Sequence, residues 1–207
     1  MDPWGLIKAD REALADYLGA LAPDDWLQPS LCEGWSIRDV ALHLLVSPTM
    51  SKGKIVVGFI GSGFNLDRFS QKQIDRMANE LSTDQIVATT RDTAGVQSAP
   101  PGLKPVGVLG EVLTHGGDIA LALGKPLTFD SDHYVLGLDY MKDAQPVLGC
   151  KKRIEGLTLH ATDADWSTGS GPAVTGDAQH LLSAMAGRKA SIDALSGDGV
   201  DILRSRP

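Results

Sequence analysis

The apolar residues of this chain change their spacing partway along it. Up to Gly124 they recur three, four or seven residues apart between breaks, whereas Leu157, Leu159 and Ala161 alternate with Thr158, His160 and Thr162. The first spacing lines one face of a helix and the second lines one face of a strand. An α+β chain is therefore expected, with helices over residues 1–125 and a small α/β unit over 127–207. The boundary falls at Gly124-Lys125-Pro126, where glycine closes a helix and proline cannot extend it.

Within the first part, Ile7, Leu14, Leu18 and Leu21 form a helix stripe between Trp4 and Leu21. Ser36-Ile37-Arg38-Asp39 fits a capping box, with Trp35 and Val40 at the positions of a hydrophobic staple. The helix it opens should run to about Val46, because Pro48 lacks the N–H needed to continue. Asp67 to Leu81 reads as helical. Ser82-Thr83-Asp84-Gln85, flanked by Leu81 and Ile86, repeats the box and staple and opens a helix to about Val96. After the break at Ala99-Pro100-Pro101-Gly102, an apolar pattern runs from Lys104 to Gly124 through Val108, Leu109, Val112, Leu113 and Ile119. In the second part, helices are expected over Asp132–Lys142 and from Asp177 to about Ala186. Between them, a glycine-rich turn (STGSGPAVTGD) follows the alternating strand, and Gly197-Asp198-Gly199 turns the chain into a last strand, VDILR.

Charge narrows the choice of partners. With 26 acidic against 19 basic residues the formal net charge is −7, a field that repels phosphate backbones, so no nucleic acid is expected. The low-charge run IVVGFIGSGFN, Ile55 to Asn65, is far short of the roughly 20 apolar residues that cross a bilayer, and no membrane partner is expected. The start, MDPWGLIKADRE, lacks the features of a secretory signal, which leaves a cytoplasmic location as the expectation. Cys32 and Cys150 are the two thiols, far apart in sequence. Both are read as reduced, and Cys32 as a small buried hydrophobe, with a catalytic nucleophile as the alternative.

One set of residues has the chemistry of a metal site. Glu111 and His115 are four apart on one expected helix, so their side chains share a face. His43, from another helix, offers a third ligand. Two imidazoles and one carboxylate with an open position form a ligand set that suits catalytic zinc. Glu and His at this spacing also form plain surface ion pairs. A histidine beside Leu42, Leu44 and Leu45 is as readily a hydrogen-bonded core residue. Gly116-Gly117, directly after His115, costs the helix about 1 kcal/mol per glycine relative to alanine, which points to close helix contact, to space for a ligand, or to a bend.

LCEGWSIRDVALHL (Leu31 to Leu44) resembles the motif around the first metal histidine of the DinB-like, mycothiol-dependent maleylpyruvate isomerase superfamily. GEVLTHGGDIALALGKP (Gly110 to Pro126) is similar to that superfamily's second metal motif. GLTLHATDADWSTGSGPAVTGDAQHLLSAMAGR (Gly156 to Arg188) is similar to its second domain. The resemblance implies a four-helix bundle with a metal held by His43, Glu111 and His115 near one end of its core. The glutamate agrees with the isomerase branch, where many DinB-like bundles carry three histidines. It also implies zinc, or another divalent ion such as nickel, and mycothiol or a similar thiol as cosubstrate. The second domain would contribute Arg188 to the site; an arginine just past a helix end also suits that helix's exposed carbonyls. Asp118, one turn after His115, would orient a ligand or stand as a solvated charge, and His160 has no assigned role.

The function so implied is metal-dependent transfer of a low-molecular-weight thiol to, or thiol-assisted isomerisation of, a small electrophile. The alternative is a non-catalytic metal-binding or small-ligand-binding stress-response protein of the same superfamily. A fourth ligand from the protein, such as His160 or Cys32, would favour that alternative. A third reading has no ion and a buried hydrogen-bonded cluster. A homodimer is compatible with all three.

Overall fold

Side chains cap the first five α-helices of the chain. In the computed structural model, which describes residues 2–144 and 149–207, Asp2 accepts from the backbone of Trp4 and Pro3 occupies the first position of α1, Pro3–Gly19. Ser36 and Asp39 form a complete reciprocal capping box at the start of α2, Ile37–Thr49. Ser51 caps α3, Lys52–Gly61, and Asn65 caps α4, Leu66–Glu80. Ser82 and Gln85 complete a second capping box at α5, Thr83–Asp92. Pro105 opens α6, Pro105–Leu123, and Gly124 closes it in the left-handed conformation at φ 61°.

Helices α1, α2, α5 and α6 pack on one another as a four-helix bundle, with α4 laid against α2 and α3 against α4. Ile7, Leu14, Ile37, Leu42, Leu109 and Leu113 are among the fully buried side chains at its centre. Three boundaries differ from the sequence reading. Pro48 lies inside the last turn of α2, where the carbonyl of Val46 still accepts from the N–H of Met50 and closes the helix. Helix α5 stops at Asp92 rather than near Val96. The glycine-interrupted run from Ile55 contributes most of a helix, α3, of which Ile55 alone is buried.

Helix α6 is, among the described residues, the one helix long and apolar enough to cross a membrane, and 67% of its apolar window is buried. It packs against α1 and α2 on one side of the chain's fold and against the later helices as well, which is the position of a central core helix.

Beyond Gly124 come α7, Ser131–Met141, and α8, Cys150–Ile154. Strands β1, Thr158–Ala161, β2, Ser167–Gly169, and β3, Ala173–Gly176, form a sheet in the order β2-β1-β3. Central β1 runs antiparallel to β2 and parallel to β3, with Leu159 opposite Thr168 and Val174. Two short strands thus occupy the stretch expected to be a glycine-rich turn. Helix α9, Ala178–Met185, covers the sheet and packs on α6 and α7, followed by α10, Lys189–Ile192. The segment VDILR is helix α11, Val200–Arg204, not a strand. Its buried residues, Val200 and Leu203, are three apart, which is helix spacing. The extended bridge to β3 is made earlier, by Ser196 opposite Thr175.

Candidate active site

The site begins with a hairpin-like loop in front of α2. Pro29 and Ser36 form an isolated antiparallel bridge. Inside it, Ser30 N–H donates to Trp35 O at 2.9 Å, Trp35 N–H to Cys32 O at 3.0 Å, and Leu31 N–H to Asp118 O at 3.2 Å. This loop presents Cys32 and Trp35 toward the bundle. Arg38, in the first turn of α2, donates to the carbonyls of Ala78 and Leu81, both at 2.8 Å, and so fixes α2 against the end of α4.

On α2, His43 follows one turn later. Its ring lies 5.0 Å from that of Trp35 and 4.9 Å from that of His115, edge-on at 76°. Its Nδ1 is buried without a hydrogen-bond partner. On α6, Glu111, His115 and Asp118 share one face at i, i+4 and i+7. Asp118 is fully buried, and its Oδ2 lies 2.9 Å from His115 Nδ1. Glu111 lines an apolar cavity together with His43 and Arg11.

A fourth element closes the group. At the end of α9, Gly187 takes φ 91°, and the N–H of Arg188 returns to Ser183 O at 2.9 Å. This Schellman-type turn needs a glycine and swings the next residue away from the helix axis. Arg188 then donates to Asp118 from Nε at 2.8 Å and from Nη2 at 2.7 Å, while Nη2 also lies 3.5 Å from Cys32 Sγ.

The electrostatics follow from burial and these contacts. Burial, with the charges of His115 and Arg188, lowers His43 to about 3, so it is neutral near pH 7. Burial also works against a charged His115, but hydrogen bonds to Asp118 and Cys32 outweigh it and raise His115 to about 9. Burial raises Glu111, with His115 and Arg11 pulling the other way. Asp118 would rise through burial, yet its bonds to Arg188 and His115 hold it below the ordinary carboxylate range.

The structure brings His43 and His115 ring to ring and places Glu111 one turn before His115. Among the described residues, the donor atoms that converge within 4.8 Å of one another belong to Cys32, His115 and Asp118. Arg188 reaches this group, and Asp118 is an ordered partner of His115 rather than a solvated charge. Cys32 is half-buried beside His115 and Arg188, not a core filler. Its place in the loop before the His43 helix is the one sequence signal that marks it. His160 is exposed on its strand. The unpartnered His43 nitrogen and the converging thiol, imidazole and carboxylate of Cys32, His115 and Asp118 fit a zinc-like divalent ion. Such an ion, if held there, would displace the proton that His115 otherwise carries.

Fold and site together define a helical-bundle protein with a small sheet-containing second part and a histidine-centred site between α2 and α6. Residues 7–55 match the family model of the mycothiol maleylpyruvate isomerase N-terminal domain, a span that contains the LCEGWSIRDVALHL motif. Two crystal structures, of mycothiol-dependent maleylpyruvate isomerase and of a histidine-to-alanine mutant of it, resemble the chain with a TM-score of 0.61 each. Identity is 14%, over 95% of this chain and 91% of theirs. No curated protein matches the sequence. The likeness to these isomerases is thus one of sequence over residues 7–55 and of fold over 95% of the chain.

Proposed function

We propose that this protein is a divalent-metal-dependent enzyme that uses a low-molecular-weight thiol, mycothiol or a similar one, for sulfur transfer to or isomerisation of a small electrophile. His43, Glu111 and His115 would be the ligands, supplied by residues 1–125, and residues 127–207 would supply Arg188. The observation that carries this reading is the approach of two imidazoles from different helices to 4.9 Å, one with a buried nitrogen that bonds to nothing in the protein. A divalent ion held there supplies a positive charge that keeps a coordinated sulfur as thiolate near neutral pH. A cytoplasmic setting, where thiols stay reduced, suits that chemistry.

The chain's own residues have separable tasks. Asp118 accepts from His115 Nδ1 and leaves the other ring nitrogen to face a ligand. Arg188 spends its Nε and Nη2 donors on Asp118 and its Nη1 on Ala186 O, so it is a positioning residue acting through Asp118. Trp35, over both histidines, shields them from water.

A second reading is favoured by Cys32. A sulfur within reach of His115 can serve as a protein-derived ligand, which would make the ion structural and the protein a metal- or small-ligand-binding module. Metal analysis of protein purified without added metal, coupled to a conjugation screen with mycothiol and simpler thiols, separates the two. The enzymatic reading expects Cys32→Ser to keep its metal and to conjugate thiols to an electrophile. Loss of metal in Cys32→Ser together with no conjugation by the parent protein would favour the structural reading.

A further inference from the structure

His43 and Glu111 also belong to the lining of a cavity of about 340 Å³, bounded by α2, α3, α4 and α6. That is the lower end of the roughly 300–1,000 Å³ range of small-molecule sites. Its character is inverted from that of a polar active-site cleft. The charged lining, Arg11 and Glu111, sits on the buried bundle helices, whereas the walls and rim are hydrocarbon: Phe59, Phe69 and Val108 within, Ile60 and Phe64 at the water's edge. Ile60 is 52% exposed and Phe64 69%.

The rim is built at a cost. Phe64 takes φ 58°, a left-handed conformation unfavourable for a bulky side chain. There its ring meets Phe59 edge-on at 5.7 Å, and Phe59 meets Phe69 in the same way at 6.5 Å. Gly58 is required on α3 because a Cβ there would lie 2.7 Å from the Phe69 ring. Three aromatic rings are thus stacked edge to face along a cavity that leads to the histidine site.

Its cationic capacity is small. Arg11 is the single positive side chain of the lining, and it already donates to Val96 O at 3.0 Å and faces Glu111. A small dianion would bring two charges to a site with one committed guanidinium, and desolvating them without partners is costly.

We propose that this cavity binds a neutral or singly charged small molecule with an apolar body, such as a medium-length acyl chain or an aromatic ring, packed on Phe59 and Phe69, with its polar end at His43. Binding as such needs no metal and no thiol. That this molecule is the electrophilic substrate rests on the function proposed above.

The test uses the full chain and the fluorescence of 1-anilinonaphthalene-8-sulfonate, with decanoate and maleate as competitors. Decanoate is expected to displace the probe at about tenfold lower concentration than maleate, or less. Ile60→Asp, which places a carboxylate among the rim hydrocarbons, should weaken probe and decanoate binding about tenfold or more. Val57→Asp, on the 71% exposed outer side of α3 and outside the lining, should leave both unchanged. Phe64→Asn adds a check against misfolding, since asparagine tolerates the left-handed backbone: it should keep the thermal midpoint while losing affinity. Equal competition by maleate and decanoate, or unaltered binding in both Ile60→Asp and Phe64→Asn, overturns the proposal. Metal content measured on the same samples reports separately on the metalloenzyme reading, so either result can fail alone.

Discussion

Asp118 and Arg188 are joined by two hydrogen bonds, 2.8 Å from Nε and 2.7 Å from Nη2, that tie the middle of α6 to the turn after α9. The carboxylate is fully buried and the guanidinium partly so, and the same carboxylate holds His115. A link between two parts of the fold is thus also the support of a site residue.

Removing Asp118 strips Arg188 and His115 of their shared counter-charge, whereas removing Arg188 leaves Asp118 still bonded to His115. Asp118→Ala is expected to destabilise the protein by about 3–5 kcal/mol in urea unfolding, and Arg188→Ala by less. A loss below about 1 kcal/mol in Asp118→Ala would mean that water reaches the pair as it does a surface ion pair.

The same carboxylate sets the orientation of His115. In Asp118→Asn, metal affinity should fall about 10–100-fold, the range for loss of a partner that orients a ligating histidine. Competition with a chelating indicator measures it; unchanged affinity would show that His115 is oriented without Asp118.

His43→Ala and His115→Ala should each deplete the purified protein of metal while retaining most of the helical circular dichroism, because the bundle core is apolar and continuous around the site. Native metal content in either variant would refute the ligand assignment.

A pH effect is expected away from the site. Asp10 on α1 is buried, bonds to His133 Nδ1 at 2.7 Å, and has its second oxygen unpartnered. Burial raises it from 3.8 to about 6. The folded state therefore holds the proton more tightly than the unfolded one, and this contribution is full below about pH 4 and lost as pH rises through about 6. Asp10→Asn, neutral throughout, should match the parent near pH 4 and exceed it above pH 6 by at most about 3 kcal/mol. Parallel stability profiles from pH 4 to 7 would contradict this.

The two glycines after His115 should behave differently. A Cβ on Gly116 would lie 2.9 Å from the Phe129 ring and 3.3 Å from Leu127, whereas one on Gly117 meets Gln179 and Ser183 side-chain atoms at 3.2 Å. Gly116→Ala should destabilise by about 1–3 kcal/mol through overpacking. Gly117→Ala should be neutral or gain up to about 1 kcal/mol of helix propensity, as the Gln179 amide can move aside. Thermal unfolding of the pair distinguishes them.

Capped helices were legible because their signals are local: Ser36 with Asp39, and Ser82 with Gln85, each complete the box that their spacing implies. The alternation at Leu157 to Ala161 marked β1 for the same reason. Its two neighbours were not legible, since β2 and β3 are short, glycine-rich and held by pairing to β1 rather than by their own pattern. Segment VDILR misled because five residues with apolar positions fit either period. At the site, His43, Glu111, His115 and Arg188 stood out through the motifs that surround them. The convergence of Cys32 on His115 and Arg188 depends on a loop and a helix end 156 residues apart, which no spacing rule connects.

The loop that carries Cys32 is clamped at its base by the Pro29–Ser36 bridge, across its span by bonds from Ser30 and Trp35, and to α6 through Leu31. The backbone is thus held on both sides of Cys32. A change of partner for the sulfur, from His115 and Arg188 to an incoming group, would then come from rotation about the Cα–Cβ bond. Access to this thiol would need no opening of the chain.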